Sequence, residues 1–236
     1  MSNSFYENTL LREEFKLVQA LQQNAEFAQY VTVCYEDRIT GEEQPVVTDI
    51  NGKRFPETYV VYYKMPVYNS QKRLDNSWHG TVRIILSEPV LMNKHSKHPP
   101  TVYFKSNFEP FNNHVTKTSI CTGNAWAVAK DNGLWHFIIS LGGLINQDGF
   151  VNAEGRHFNG DAYDHWVSRG RKPVTHIKWP LDLVSQLENK LTITPKKKDE
   201  TKSLNIKKKT TTDNPGINIK PKAKSAPPPL NITKRN

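Results

Sequence analysis

The chain has 236 residues, of which 36% are hydrophobic, below the range of about 45–50% usual for a globular domain, so part of it does not build a core. Its net charge of +9 is concentrated at one end: residues 190–236 hold 13 Lys and Arg against 3 Asp and Glu, whereas residues 1–189 hold 19 against 20. The basicity therefore belongs to a tail and not to a nucleic-acid-binding face of the body.

Other classes are set aside on pattern. No apolar run approaches the roughly 18 residues of a membrane span. The N-terminal Met1-Ser-Asn-Ser-Phe-Tyr lacks a basic-then-apolar signal, so a soluble protein of the cytoplasm is expected. Two cysteines without paired spacing, Cys34 and Cys121, argue against a disulfide scaffold or a thiolate zinc site.

Leu11, Phe15, Val18, Leu21 and Ala25 recur as one apolar stripe and predict a first helix, with Glu13 and Glu14 toward its N-terminal end. Tyr30–Tyr35, β-branched and aromatic, reads as a strand. Asn51-Gly52 predicts a hairpin turn between Val46-Val47-Thr48 and Tyr59–Tyr63. Thr81–Leu86 alternates, with Val82, Ile84 and Leu86 on one face, and Val102 and Phe104 mark a short strand after His98-Pro99-Pro100. A meander of four or five antiparallel strands follows from these runs.

From residue 105 to about Asp131 the strand pattern stops, and this long stretch carries Cys121. A loop of that length inside a compact domain is usually functional or mis-assigned. Leu134, Ile138, Leu141 and Ile145 then give helical spacing that is apolar nearly all round, a buried helix. Gly142-Gly143 weakens it by roughly 1 kcal/mol each unless close packing requires them. A further helix is expected over Asp161–Arg169, with Tyr163, Trp166 and Val167 facing inward. The whole is an α+β domain over residues 1–189. Residues 190–236, with six of the fifteen prolines and no aromatic residue, form a Lys/Pro-rich tail expected to be disordered. It offers a weak electrostatic handle for an anionic partner.

The segment from His98-Pro99-Pro100 through Val102-Tyr103-Phe104 to Ser119-Ile120-Cys121, leading into the apolar helix, resembles the ubiquitin-conjugating enzymes. Asn113 stands eight residues before Cys121, the spacing of that family's catalytic Asn and Cys. The likeness covers about residues 10–170. It departs where the family has His-Pro, here Phe111-Asn112, and where it has Gly three residues before the cysteine, here Thr118. Trp126 stands five residues after the cysteine, where the family spacing is eight, and Thr58–Trp78 is longer than a family hairpin. With these departures the chain looks like a divergent, bacterial-type relative, and a defence role rests on family analogy alone.

The resemblance implies a carrier that holds a ubiquitin-like protein as a thioester on Cys121. The acyl group arrives from an activating enzyme and leaves to an amine on an acceptor protein. No cofactor or metal is implied. Cysteine is a strong nucleophile without a dedicated base, and a side-chain amide can hold the tetrahedral oxyanion. The resemblance gives that role to Asn113, with His114 contributing a hydrogen bond or acting as a base.

Plainer readings stand beside these. Cys121 also fits a small core residue, Asn113 a turn former, and His114 a structural residue. Three other functions are open: an inactive adaptor of the same fold that binds a ubiquitin-like protein, a cysteine hydrolase pairing Cys121 with His136, His157 or His165, and non-specific nucleic-acid binding by the tail.

Overall fold

A computed structural model describes residues 2–48, 50, 54–86, 99–151 and 158–192. The chain divides into two units, Met1–Thr194 and Pro195–Asn236; all described residues belong to the first. Among them no helix is long and apolar enough to cross a membrane. The Asn51-Gly52 turn, His98, His157 and residues 193–236 lie outside the described residues.

The architecture is mixed α+β. Helices α1 (Ser2–Gln22) and α2 (Ala25–Ala28) precede strands β1 (Val31–Glu36), β2 (Glu43–Pro45), β3 (Thr58–Lys64), β4 (Val67–Tyr68), β5 (Leu74–Asp75), β6 (His79–Ile85) and β7 (Thr101–Ser106). Helices α3 (Thr122–Ala129), α4 (Leu134–Ile145), α5 (Gly160–Ser168) and α6 (Leu183–Thr192) follow.

The first helix buries Leu11, Phe15, Val18 and Leu21 as its stripe requires. Ala25 does not extend that stripe. Asn24 interrupts the helix and caps α2 by accepting the Phe27 amide at 3.1 Å, which turns Phe27 into the core and leaves Ala25 exposed.

The main sheet is antiparallel in the order β2-β1-β3-β6-β7. Four strands thus follow one another as a meander, but β2 folds back onto the outer edge of β1. This corrects the hairpin expected between Val46–Thr48 and Tyr59–Tyr63: β3 pairs with β1 and β6 instead. The chain reverses earlier, at Asp37, whose carboxylate accepts the amides of Ile39 and Thr40, with Gly41 at φ +72°. A short polar side chain bonding its own following backbone is a turn device that competes with strand continuation. Cys34 sits half-buried in β1 between Pro45 and Val60 of the flanking strands.

Alternation places one face of the sheet inward. Val33, Val61, Val82 and Phe104 lie in register across four strands and are buried, as are Val31, Tyr63 and Gly80 in the next row. The long segment between β3 and β6 is a two-stranded ribbon, β4–β5, that ends in the fully buried Trp78.

Helix α4 is the centre of the core: all twelve of its residues are buried. Tyr63 of β3 donates its hydroxyl to the Ile138 carbonyl at 2.8 Å, tying helix to sheet. At the other end, Glu14 of α1 accepts the Leu134 amide at 2.8 Å, one of the first-turn donors that the helix itself cannot satisfy. The glycine pair is required by close packing. A Cβ on Gly142 would stand 2.6 Å from Cη2 of Trp179, and one on Gly143 would stand 2.7 Å from Cζ of Phe150. In α5 Ala162 and Trp166 face inward, while Val167, expected inward, is 37% exposed. It lies one residue, about 100° of helical turn, round from Trp166.

Gly142→Ala is expected to destabilise the fold by about 1–3 kcal/mol through overpacking against Trp179. Gly123→Ala, in α3 with nothing within 4 Å of the added Cβ, is expected to be neutral or stabilising by up to about 1 kcal/mol. Urea unfolding of the two variants measures the difference.

Candidate functional site

The site is the loop from Asn107 to Cys121. It is shorter than the sequence suggests, because the residues after Cys121 form α3. Gly123 and Asn124 hide that helix from a propensity reading, whereas burial of Ala125, Trp126 and Ala129 on one side holds it in place.

The loop is pinned at each step. Ser106 donates from its amide to the Lys117 carbonyl at 2.9 Å. Val115 and Ile120 form an isolated antiparallel bridge, closed by Thr116, whose hydroxyl accepts the amides of Thr118 and Ser119. Beyond the bridge, the Cys121 amide donates to the His114 carbonyl at 2.9 Å. Cys121 is therefore fixed both by this turn and as the residue that opens α3.

Its side chain is half-buried, and Sγ lies 3.7 Å from Oδ1 of Asn124, an acceptor for the thiol. Asn124 is three residues along, the spacing at which a capping residue meets the first turn. A helix start recognised at Cys121 would have exposed that pairing in the sequence.

Asn112 is 3% exposed and fully engaged. Its Nδ2 donates to the carbonyls of Leu144 and Ile145, both at 3.0 Å, and its Oδ1 accepts the His114 amide at 2.7 Å. The last carbonyls of a helix lack intrahelical donors, so Asn112 satisfies the end of α4 while holding the loop. This residue, a departure from the resembled family, is a structural clamp. Phe111 adds a backbone bond, from its amide to the Tyr68 carbonyl at 2.7 Å.

Asn113 and His114 are fully buried. The Asn113 Oδ1 accepts Nε2 of Gln147 at 3.2 Å, and its carbonyl accepts the Phe158 amide at 2.9 Å. His114 meets Cys121 through its backbone carbonyl. The three residues singled out from sequence are thus gathered in one loop, Cys121 at its half-open end and Asn113 and His114 inside.

Gln147 could not be found from sequence. It follows α4 at φ +55°, with its amide to the Leu144 carbonyl at 3.2 Å and the Asp148 amide to the Gly143 carbonyl at 2.8 Å. This is the left-handed helix ending that glycine normally occupies, and a side chain there costs about 1–2 kcal/mol. The Gln147 side chain is 1% exposed; its Oε1 accepts Nη2 of Arg169 at 3.0 Å, and its carbonyl accepts Nε1 of Trp166 at 3.1 Å.

Arg169 caps α5, and its guanidinium stacks over Tyr68 at 4.5 Å. Beside it, His165 packs edge-on to Tyr68 and against Phe111, 5.2 and 5.8 Å between ring centres. A cleft of about 420 Å³ opens between the Asn69-Ser70 turn and Phe108–Phe111. His136, the other described histidine weighed for a hydrolase, lies in α4 against Asn132, 3.4 Å from its side-chain nitrogen. Among the described residues no group of three His, Cys, Asp or Glu side chains converges to hold a metal ion. No family model, no curated protein and no solved structure matches this chain.

Asn112→Ala is expected to lower stability by about 2–3 kcal/mol, since it removes donors from two buried carbonyls and the acceptor of the His114 amide, and to speed alkylation of Cys121. Urea unfolding and iodoacetamide kinetics measure both.

Burial holds the His136 imidazole below its ordinary 6.5, outweighing a hydrogen bond to the Val128 backbone. As pH falls the unfolded chain takes up this proton first. Stability is therefore full above about 6.5 and is lost as pH drops through the depressed folded value. His136→Leu is expected to flatten the fall in unfolding free energy between about pH 7.5 and 5.5.

Proposed function

We propose that this chain carries a ubiquitin-like protein as a thioester on Cys121. The Cys121 thiolate attacks the carbonyl carbon of a thioester held by an activating enzyme, and that enzyme's cysteine leaves as thiolate. An amine of an acceptor protein then attacks the new thioester, the C–S bond breaks, Cys121 leaves as thiolate, and the amine gives its proton to solvent.

The observation that carries this reading is a half-buried thiol at the end of a tightly pinned loop, where the loop passes into a helix. The scaffold supports it: a helix, an antiparallel meander, the cysteine loop and closing helices succeed one another in the order of the resembled family. The amides of Thr122 and Gly123, in the first turn of α3, are donors without intrahelical partners and directly follow Cys121 in the chain. Asn113 supplies a side-chain amide for the oxyanion in this proposal. His114 contributes by holding the Cys121 backbone.

A second reading, the adaptor that keeps the fold without the chemistry, is favoured by one observation. Asn113 and His114 are wholly enclosed, and both also fit a structural clamp.

With an activating enzyme, a ubiquitin-like partner and ATP, non-reducing gels are expected to show a thiol-sensitive adduct that Cys121→Ala abolishes. An adduct unchanged in Cys121→Ala, or none from a partner pair active elsewhere, would move the function to the adaptor. Asn113→Ala is expected to form the adduct and discharge it at least about tenfold more slowly.

A further inference from the structure

Three side chains form a directed chain of hydrogen bonds: Arg169 Nη2 to Gln147 Oε1 at 3.0 Å, then Gln147 Nε2 to Asn113 Oδ1 at 3.2 Å. The direction is chemically forced. A guanidinium carries donors and no acceptor, so the end of the Gln147 amide that meets Arg169 must be its oxygen. The other end is then the NH₂ group, which can only donate. What it meets on Asn113 must accordingly be the carbonyl oxygen, and Nδ2 of Asn113 faces away from Gln147.

Gln147 takes its place at a backbone cost. It occupies the left-handed ending of α4, where glycine carries no penalty. A strained residue persists when its surroundings over-determine it, and such residues concentrate at functional sites. Here the side chain has a polar partner at each end and its carbonyl has the Trp166 indole.

We infer that Arg169 and Gln147 are positioning residues that set the polarity of the Asn113 amide, presenting it as a donor and not as an acceptor. Neither touches Cys121; both act through Asn113. The consequence for catalysis rests on the thioester reading above, because only an Nδ2 donor stabilises an oxyanion. The orientation itself does not depend on that reading.

The test uses the full chain with N-acetyl-glycylglycine thioester of mercaptoethanesulfonate as the acyl probe. Cys121 attacks the probe carbonyl and mercaptoethanesulfonate leaves. Free lysine then attacks the new thioester, Cys121 leaves as thiolate, and the amine proton passes to water. Mass spectrometry follows both steps, and peptide mapping separates Cys121 from Cys34.

Gln147→Glu keeps an acceptor for Arg169 but can no longer donate to Asn113. It is expected to take up the acyl group at the wild-type rate and to transfer it at least about tenfold more slowly, matching Asn113→Ala. In the unloaded protein the Asn113 side-chain NH₂ signals are expected to move downfield as that group turns to donate to the new carboxylate. Arg169→Lys, still donor-only, is expected to keep wild-type transfer and signals, whereas Arg169→Met loses both.

Transfer by Gln147→Glu within about twofold of wild type overturns the inference, as do unmoved Asn113 signals or an Arg169→Met variant equal to Arg169→Lys. Should Gln147→Glu not fold, the Arg169 pair decides. If the wild-type chain takes up no acyl group at Cys121, the thioester reading falls, and the NMR signals still decide the orientation of Asn113.

Discussion

A helix buried on every side imposes a demand that an amphipathic surface helix does not. All twelve residues of α4 are enclosed, so each direction around its axis must be covered by another element, and both of its ends must find polar partners away from water. Glu14 of α1 serves the first end, Asn112 of the loop serves the last, and the Tyr63 hydroxyl of β3 joins the middle. The glycine pair lets Trp179 and Phe150 close over the helix at distances a methyl group would forbid. Sheet, first helix, loop and closing segment are therefore all positioned by what α4 requires.

The candidate site inherits its rigidity from this arrangement. Asn112 cannot release the loop without withdrawing its donors from the Leu144 and Ile145 carbonyls, and a buried group left unsatisfied costs about 1–3 kcal/mol. The next residue, Asn113, is held from beyond the same helix end by Gln147, and the His114 carbonyl then receives the Cys121 amide. The thiol thus stands at the end of a series of contacts that begins in the core. A nucleophile held in one geometry loses less entropy on meeting its substrate, which is why a helix terminus buried far from solvent bears on the proposed chemistry.

Much of the scaffold was legible in advance because hydrophobic periodicity reports burial directly. The stripe through Leu11, Phe15, Val18 and Leu21, the alternation of Val82, Ile84 and Leu86, and the all-round apolar run of α4 are each buried as read. The misreadings have local causes. Ala25 followed the period of α1, but Asn24 offered the backbone a competing cap. Val46–Thr48 looked like the partner of β3, but Asp37 and Gly41 had already turned the chain back on β1. Helix α3 was hidden because Gly123 and Asn124 are weak helix formers, and only packing of Ala125, Trp126 and Ala129 makes it stable.

The candidate site divides in the same way. Sequence alone determined an α+β body separate from a basic tail, and it brought Asn113, His114 and Cys121 together, because residues so near in the chain must share a loop. It carried no sign that Gln147 and Arg169 complete the setting of Asn113, since Gln147 lies 34 residues beyond it along the chain and Arg169 a further 22. Tertiary structure alone decided that, and it decided the direction of their hydrogen bonds. Periodicity records which side chains leave water, whereas the donor and acceptor partners of a buried amide depend on elements that meet only after the chain has folded.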